Sequence, residues 1–309
     1  MRDEVVDFTR NWSKSTGIKV YSIVNNIGIT LSKFYDWEKR RGCKNRHNSW
    51  IPRENWILDE ERQAIIKFFY EHPLDGYRRL SFMMIDQDVV CVSPSTVYRV
   101  LKDAELIGRK STKKSLKGTG FVQPLKPHEH WHLDISYINC MGTFYYLCTV
   151  IDGASRFIVH SELKECMKTD DVKMILQRAR EAFPGVNPRI ISDNGPQFIA
   201  KDFKEFIRLT GMTHVRTSPY YPQSNGKIER WHHSLKSEAI RLSSMDNAEK
   251  ADAIIKEYIQ YYNEERLHSS IGYITPKDML LGNGKKIQDE RDRKMEKARV
   301  ARNKARKAA

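Results

Sequence analysis

Three acids stand in settings that suit phosphoryl chemistry. Asp134 falls midway along the strand-like run WHLDISYI (131–138). Asp193 follows the short apolar run in RIISDNGPQF (189–198) and precedes an Asn-Gly turn. Glu229 opens the helix-forming part of TSPYYPQSNGKIERWHHSLK (217–236). Between the first two acids there are 58 residues, and between the last two there are 35. Carboxylates are hard oxygen ligands, and a set of them can hold two divalent cations about 3.5–4 Å apart. Such a pair activates a nucleophile and steadies a leaving oxygen in phosphodiester transfer. From Lys227 onward the chain favours a helix, and Asn225, Glu229, His232 and Lys236 recur on one face of it. Ile228, Leu235 and Ile240 are left for a core. Taken alone, this face reads equally well as a solvated salt-bridge surface. The other two acid segments argue for more.

The flanking pattern supplies elements to hold these acids. Strands are predicted over His130–Ile138, Gly142–Ile151 and Ser155–Leu163, joined by short turns as an antiparallel meander. The Asp152-Gly153 pair marks a tight turn and gives Asp152 a structural role. A helix from Thr169 to about Phe183 follows. Next come a short buried strand at Arg189–Ser192, a helix at Asp202–Thr210, a strand at Thr213–Arg216 and the helix carrying Glu229. Two strands and a helix packed on the same sheet can bring three distant acids together. His128, His130 and His132 share the parity of Asp134 along its strand. They are assigned to packing or to a DNA-facing role rather than to metal ligation. Asn194 is placed to orient Asp193, and Gln197 to face DNA.

The D-x58-D-x35-E spacing, with DNGPQF after the second acid and SPYYPQSNGKIER around the third, resembles the DDE transposases and retroviral-type integrases. Within them it is most similar to the second-frame protein of the insertion-sequence-three family. The resemblance covers about Trp131 to Met279 and includes the closing segment YYN-x2-R-x-HSSIG-x3-P. It implies an α/β fold: an RNase H-like integrase catalytic core, a mixed five-stranded sheet with flanking helices, preceded by all-α helix-turn-helix domains. It implies that Asp134, Asp193 and Glu229 are both the catalytic and the metal-ligating residues. Two Mg2+ ions per site are implied, with Mn2+ as a substitute. Asp134 would bridge both ions, and the other two acids would each complete one site. The implied activity is metal-dependent nicking and strand transfer of insertion-sequence ends. The other-class alternative is a sequence-specific DNA-binding protein with an inactive integrase-like core, and a ribonuclease H-type nuclease is a third reading. The closing residues Tyr262, Asn263 and Arg266 are expected to staple a helix over about 247–263 rather than to react.

The rest of the chain reads as DNA-binding equipment. Residues 1–41 fit a three-helix unit with a turn at Gly28, an N-terminal helix-turn-helix, and 42–57 a linker. Residues 58–107 fit a second helix-turn-helix. In it Asp59 caps the first helix, Tyr77–Asp86 forms the second, and Ser93-Pro94 starts a recognition helix to Ala104. Arg78, Arg79, Ser95, Thr96, Tyr98, Arg99 and Lys102 are its expected DNA contacts. GYRRL before that helix also resembles the segment preceding the family's catalytic core. Residues 108–128 form a basic linker, and 129–282 hold the catalytic core. The 283–309 tail has eleven Lys/Arg against four Asp/Glu from Lys285 on, no clear apolar stripe, and is expected to be disordered until DNA meets it. Near the active site Tyr220, Gln223, Asn225, Lys227, His232, His233 and Lys236 are expected to touch DNA.

Across 309 residues the formal net charge is +14, which points to a polyanion: nucleic acid first, a ribosome or an anionic membrane surface otherwise. No stretch of about 18 apolar residues or signal pattern occurs. The five scattered cysteines form no CxxC pair, so zinc and disulfide frameworks are not indicated. A cytoplasmic, nucleoid-associated bacterial protein is expected. Its partners would be double-stranded DNA (element ends and target), a second copy assembled on DNA, and an upstream-frame protein in some family members.

Overall fold

The computed structural model describes residues 2–43, 57–108, 124–217 and 225–308, with the side chains of 306–308 left out. Met1–Trp56 and Ile57–Ala309 form two units. In the first, α1 (Arg2–Thr16), α2 (Val20–Asn26) and α3 (Leu31–Lys39) enclose Val6, Val24 and Phe34. The turn expected at Gly28 is present, with φ +77°, a value that glycine tolerates without a Cβ penalty. Arg10 grips the Glu38 carboxylate, its terminal nitrogen at 2.7 Å, and ties α1 to α3.

The second unit opens with α4 (Asp59–Glu71), α5 (Tyr77–Asp86) and α6 (Pro94–Asp103). Leu58, not Asp59, holds the capping position of α4, and its N–H donates to Glu61 Oε2 at 2.8 Å. The start of α6 is as the sequence predicts: Ser93 Oγ accepts from the Thr96 N–H, and Pro94 occupies the first turn. Ile65, Phe68, Leu80, Met84, Val97, Val100 and Leu101 fill the space between these helices.

A five-stranded mixed sheet follows, of the RNase H-like integrase-core kind. Its strands are β1 (His130–Cys140), β2 (Thr143–Asp152), β3 (Ile158–Lys164), β4 (Arg189–Ser192) and β5 (Thr213–Arg216). The spatial order is β3-β2-β1-β4-β5, with the meander antiparallel and β4 parallel to both its neighbours. β3 starts three residues later than the sequence suggests. Residues 152–155 form a turn in which Asp152 Oδ2 accepts from the Ser155 N–H (2.7 Å) and hydroxyl (2.6 Å). Asp152 Oδ1 accepts from the His128 N–H at 2.7 Å, so the structural role expected for Asp152 holds.

Strand alternation sorts the sheet into two apolar layers. Trp131, Leu133 and Ile135 face α7 (Thr169–Ala182), α8 (Pro196–Ile199) and α9 (Lys201–Leu209). Ile138 and Cys140, of opposite parity, face α10 (Gly226–Glu238) and α11 (Ala248–Glu264). The predicted staples are in place. Asn263 receives the Ile158 N–H at 2.8 Å and donates to the Ile158 carbonyl at 3.1 Å. Arg266 forks onto Glu238 at 2.7 and 2.5 Å, and Tyr258 donates to the same carboxylate at 2.8 Å.

The C-terminal segment departs from expectation. After α12 (Pro276–Leu280) the chain forms α13 (Gly284–Ala308), a 25-residue helix. Its inner face is polar, which is why no apolar stripe announced it. Arg291 and Arg302 are buried (2% and 7% exposed), and their guanidinium groups pair with Asp86 and Glu61. Lys294 reaches Asp88 at 2.8 Å. The acids that order this basic segment lie about 200 residues away in sequence, where a local reading cannot see them.

Candidate active site

Asp134 has the parity of Ile138, so its side chain is on the α10 side of the sheet. In the parallel ladder Leu133 is paired with Ser192, so Asp134 and Asp193 are the next residues of two adjacent strands. Helix α10 lies against β1. His232 is buried (6% exposed) and sets its Nδ1 3.5 Å from Asp134 Oδ2. Glu229, exposed and three residues earlier on the same helix, belongs to the turn just before that contact. The structure therefore brings the elements bearing all three acids to one end of the β1–β4 pair.

Local hydrogen bonds hold two of the carboxylates. Asp134 Oδ1 accepts the Ile135 N–H at 2.9 Å, and Asp193 Oδ1 accepts the Gly195 N–H at 2.9 Å. A Cβ on Gly195 would stand 3.1 Å from that Asp193 oxygen and 3.2 Å from Phe198 Cδ2. Gly195→Ala is therefore expected to push the Asp193 carboxylate aside. Any activity that depends on the Asp193 carboxylate should fall about 10- to 100-fold with the melting temperature little changed, as positional errors near reacting groups do; parallel rate assays and thermal scans check this. Asn194 donates to the Thr217 carbonyl at 3.0 Å, and Gln197 to the Met167 carbonyl at 3.1 Å. Those bonds place Asn194 as a loop tether rather than a direct partner of Asp193, and turn Gln197 toward the protein rather than toward DNA.

The surroundings are cationic and partly desolvated. Burial pulls Lys227 down to about 7, helped by the nearby Arg156 charge and opposed by Asp152. Burial also lowers Lys236, with Asp134 opposing the shift. His132 is fully buried, and desolvation, reinforced by Lys227 and Arg156, depresses it to about 3. His268, also buried, reaches about 3 through desolvation and the neighbouring Arg266 charge. Both histidines titrate well below their ordinary 6.5, so between those values the unfolded chain binds more protons than the folded one. Their contribution is complete above about pH 6.5 and is lost as pH falls toward 3, at up to about 1.4 kcal/mol per unit for each. Denaturant titrations at pH 7 and 5 should show the loss, and His268→Gln should flatten it.

Several residues expected to touch DNA are placed otherwise. Asn225 and His232 are buried (4% and 6% exposed), because the first turns of α10 press onto the sheet, so little of either side chain is open to a phosphate backbone. Arg79 is paired with Asp75, both largely covered. Thr96 and Tyr98 are partly covered: Thr96 caps with Ser93 and Tyr98 packs on Tyr77. Arg78, Ser95, Arg99, Lys102 and His233 are exposed, and Lys227 and Lys236 half-buried. Tyr220 and Gln223 lie outside the described residues, as does most of the basic linker. His128 accepts from the Trp131 indole at 3.1 Å, in keeping with packing. The sequence reading missed Arg156, which follows the Asp152 turn, donates to Ser270 Oγ at 3.1 Å and adds its charge beside Lys227 and His132. No motif word marks it; only the folded turn brings it there.

The donor chemistry of Asp134, Asp193 and Glu229 fits a hard divalent cation, which prefers carboxylate oxygen. Among the described residues, no group of three His, Cys, Asp or Glu side chains is gathered closely enough to chelate one.

Comparison with known proteins places the same region. Residues 124–222 match one family profile described as "Integrase core domain", and residues 210–276 match a second of that description. The chain is 26% identical over 217 residues to the insertion element IS476 uncharacterized 39.2 kDa protein of Xanthomonas euvesicatoria, covering 69% of this chain and 62% of that one. It is 29% identical over 154 residues to the transposase for insertion sequence element IS904 of Lactococcus lactis, covering 49% and 61%. The chain thus spans about three fifths of the length of each. Among solved structures, the simian T-cell lymphotropic virus intasome in complex with PP2A regulatory subunit B56 gamma aligns at 17% identity with a TM-score of 0.48, covering 70% of this chain and 74% of the other.

Proposed function

We propose, on the premise that this chain belongs to the superfamily of DDE transposases and retroviral-type integrases, that it cuts and joins DNA as the transposase of an insertion sequence. The observation that supports this reading is Asp134 on β1 beside α10, the helix that bears Glu229, with Asp193 directly following the adjacent parallel strand β4. Asp134, Asp193 and Glu229 would hold Mg2+, with Mn2+ as a substitute, and the bound metal supplies neutralisation of the developing phosphoryl charge and activation of the attacking oxygen.

The chain's own residues do the remaining work. The sheet fixes Asp134, and the Gly195 N–H orients Asp193. His232, three residues on from Glu229 in α10, would steady the Asp134 carboxylate. Lys236, with its charge near Asp134, and the exposed His233 would meet the phosphates that flank the cut. Lys227 adds positive charge next to the same helix start. At a distance from the chemistry, Arg78, Ser95, Arg99 and Lys102 on α5 and α6 would bind the element's end. One acid triad serves one DNA end at a time, so two copies would assemble on paired ends.

The test is incubation of the full chain with DNA carrying the termini that flank its reading frame, a plasmid target and Mg2+, with sequencing of nicks and joints. Joints between a terminal 3′-hydroxyl and target DNA support the reading. Tight end binding with neither nicks nor joints would favour a DNA-binding protein with an inactive core.

A further inference from the structure

We propose that α13 is a brace that sets the distance between the bundle α4–α6 and the acid triad, and hence the nucleotide at which DNA is cut, with Arg291 as the positioning residue. The inference rests on the recombination reading above for its consequence, but not for its geometry.

The brace is rooted in the catalytic core. Gly282, with φ +78°, turns the chain out of α12, and Asn283 caps that turn through its N–H to the Asp278 carbonyl (2.9 Å) and its amide to Asp278 Oδ1 (3.0 Å). From there one face of α13 runs along the bundle. Arg291 donates to both Asp86 oxygens (2.7 and 2.6 Å) at the end of α5, and to the Tyr273 carbonyl (2.7 Å) in the core. Its guanidinium lies 4.8 Å over the Phe82 ring, which in turn stacks on Tyr273 at 4.8 Å. A single buried side chain therefore joins α5, the core loop and α13.

Eleven residues further on, about 16 Å along the helix, Arg302 holds Glu61 at the start of α4 (2.9 Å) and the Cys91 carbonyl before α6 (2.5 Å). Between them Lys294 binds Asp88 and the carbonyls of Ile85 and Asp86. Two separated attachment points fix orientation as well as distance. The contacts are ion pairs and hydrogen bonds with fixed donor geometry, which define position more sharply than sliding apolar surfaces do. On the outer face Arg293 pairs with Glu290, and Arg299 with Glu296, so the segment is not the uniformly cationic DNA arm its composition suggests.

B-DNA rises about 3.4 Å per base step. A bundle that drifts by a few ångströms relative to the triad would move the cut by a nucleotide. A brace that only stabilised the fold would leave the cut where it is.

The experiment maps nick positions by sequencing for wild type, Arg291→Ala, Asp86→Arg, Arg291→Asp and the double variant Asp86→Arg/Arg291→Asp, on the same end-bearing DNA with Mg2+. In parallel, hydrogen exchange is followed in the DNA-free proteins over α13 and α5. Wild type should cut at one principal position. Arg291→Ala should spread cuts over neighbouring nucleotides, the principal share falling about 10-fold, as steep dependence on placement requires. Exchange in α13 should rise at the same time, and the charge-swapped pair should restore both readouts. Should Arg291→Ala fail to fold, Arg302→Ala carries the same test from the far end of the helix. An unchanged nick pattern in a cutting variant whose α13 exchanges freely overturns the positioning role alone. A wild type that cuts nowhere overturns the recombination reading and the cut-setting role with it, while protected exchange over α13 would still uphold the docking.

Discussion

On the proposed reading, Asp134→Asn, Asp193→Asn and Glu229→Gln should each lower strand transfer by roughly three orders of magnitude or more, since each would remove the charge of a metal-ligand oxygen. The substitutions keep side-chain shape, so binding to end-bearing DNA should persist. The three positions are expected to act as a unit: a double variant should lose little more than a single one. The measurement is single-turnover joining of a labelled 3′-hydroxyl end to plasmid, beside a binding titration on the same DNA. Retained joining in two of the three variants would sink the assignment. A fall in binding parallel to the fall in joining would show misfolding rather than lost chemistry.

Arg266→Ala should destabilise the second unit by about 3–5 kcal/mol, the range for removing one partner of a buried ion pair. Arg266 is 7% exposed and makes a two-point grip on Glu238 at the C-terminal end of α10. Without it Glu238 keeps the Tyr258 hydroxyl at 2.8 Å and the charge of Arg79, a cation already paired with Asp75. Arg266→Lys should recover only part of the loss, because an ammonium cannot reproduce the planar fork. Equilibrium denaturation gives the stability. The joining assay on the folded fraction should fall as well, since the end of α10 held by Arg266 is the far end of the helix that carries Glu229.

Legibility in the sequence followed the range of the interactions. The strand β4 (Arg189–Ser192), the helix α5 (Tyr77–Asp86) and the cap at Ser93-Pro94 were readable because periodicity and capping are local. The acid spacing and its flanking words were readable because several residues had to agree at once. What could not be read were pairings made across long stretches of chain. Asn225 and His232 look like DNA contacts in a linear string of polar residues, yet α10 presses them against the sheet. Arg291 and Arg302 look like part of a solvated basic tail until Asp86 and Glu61 come into view. Arg79 is the local exception: it suits a phosphate until Asp75, only four residues earlier, claims it.

The parallel ladder between β1 and β4 also bears on the order in which the protein is made. The meander of β1, β2 and β3 closes through short turns and can form as soon as those residues emerge, whereas a parallel pair must wait for a long crossover to be synthesised and closed. Asp134 is laid down with the meander, Asp193 only with the crossover, and Glu229 after both. A nascent chain thus carries one acid on a partly built sheet for much of its synthesis. On the proposed reading, its cutting centre would come into existence only once α10 has left the ribosome and settled on β1. By then every strand of the sheet has been made, and on that reading a polypeptide abandoned before that point would have no means of breaking the DNA around it.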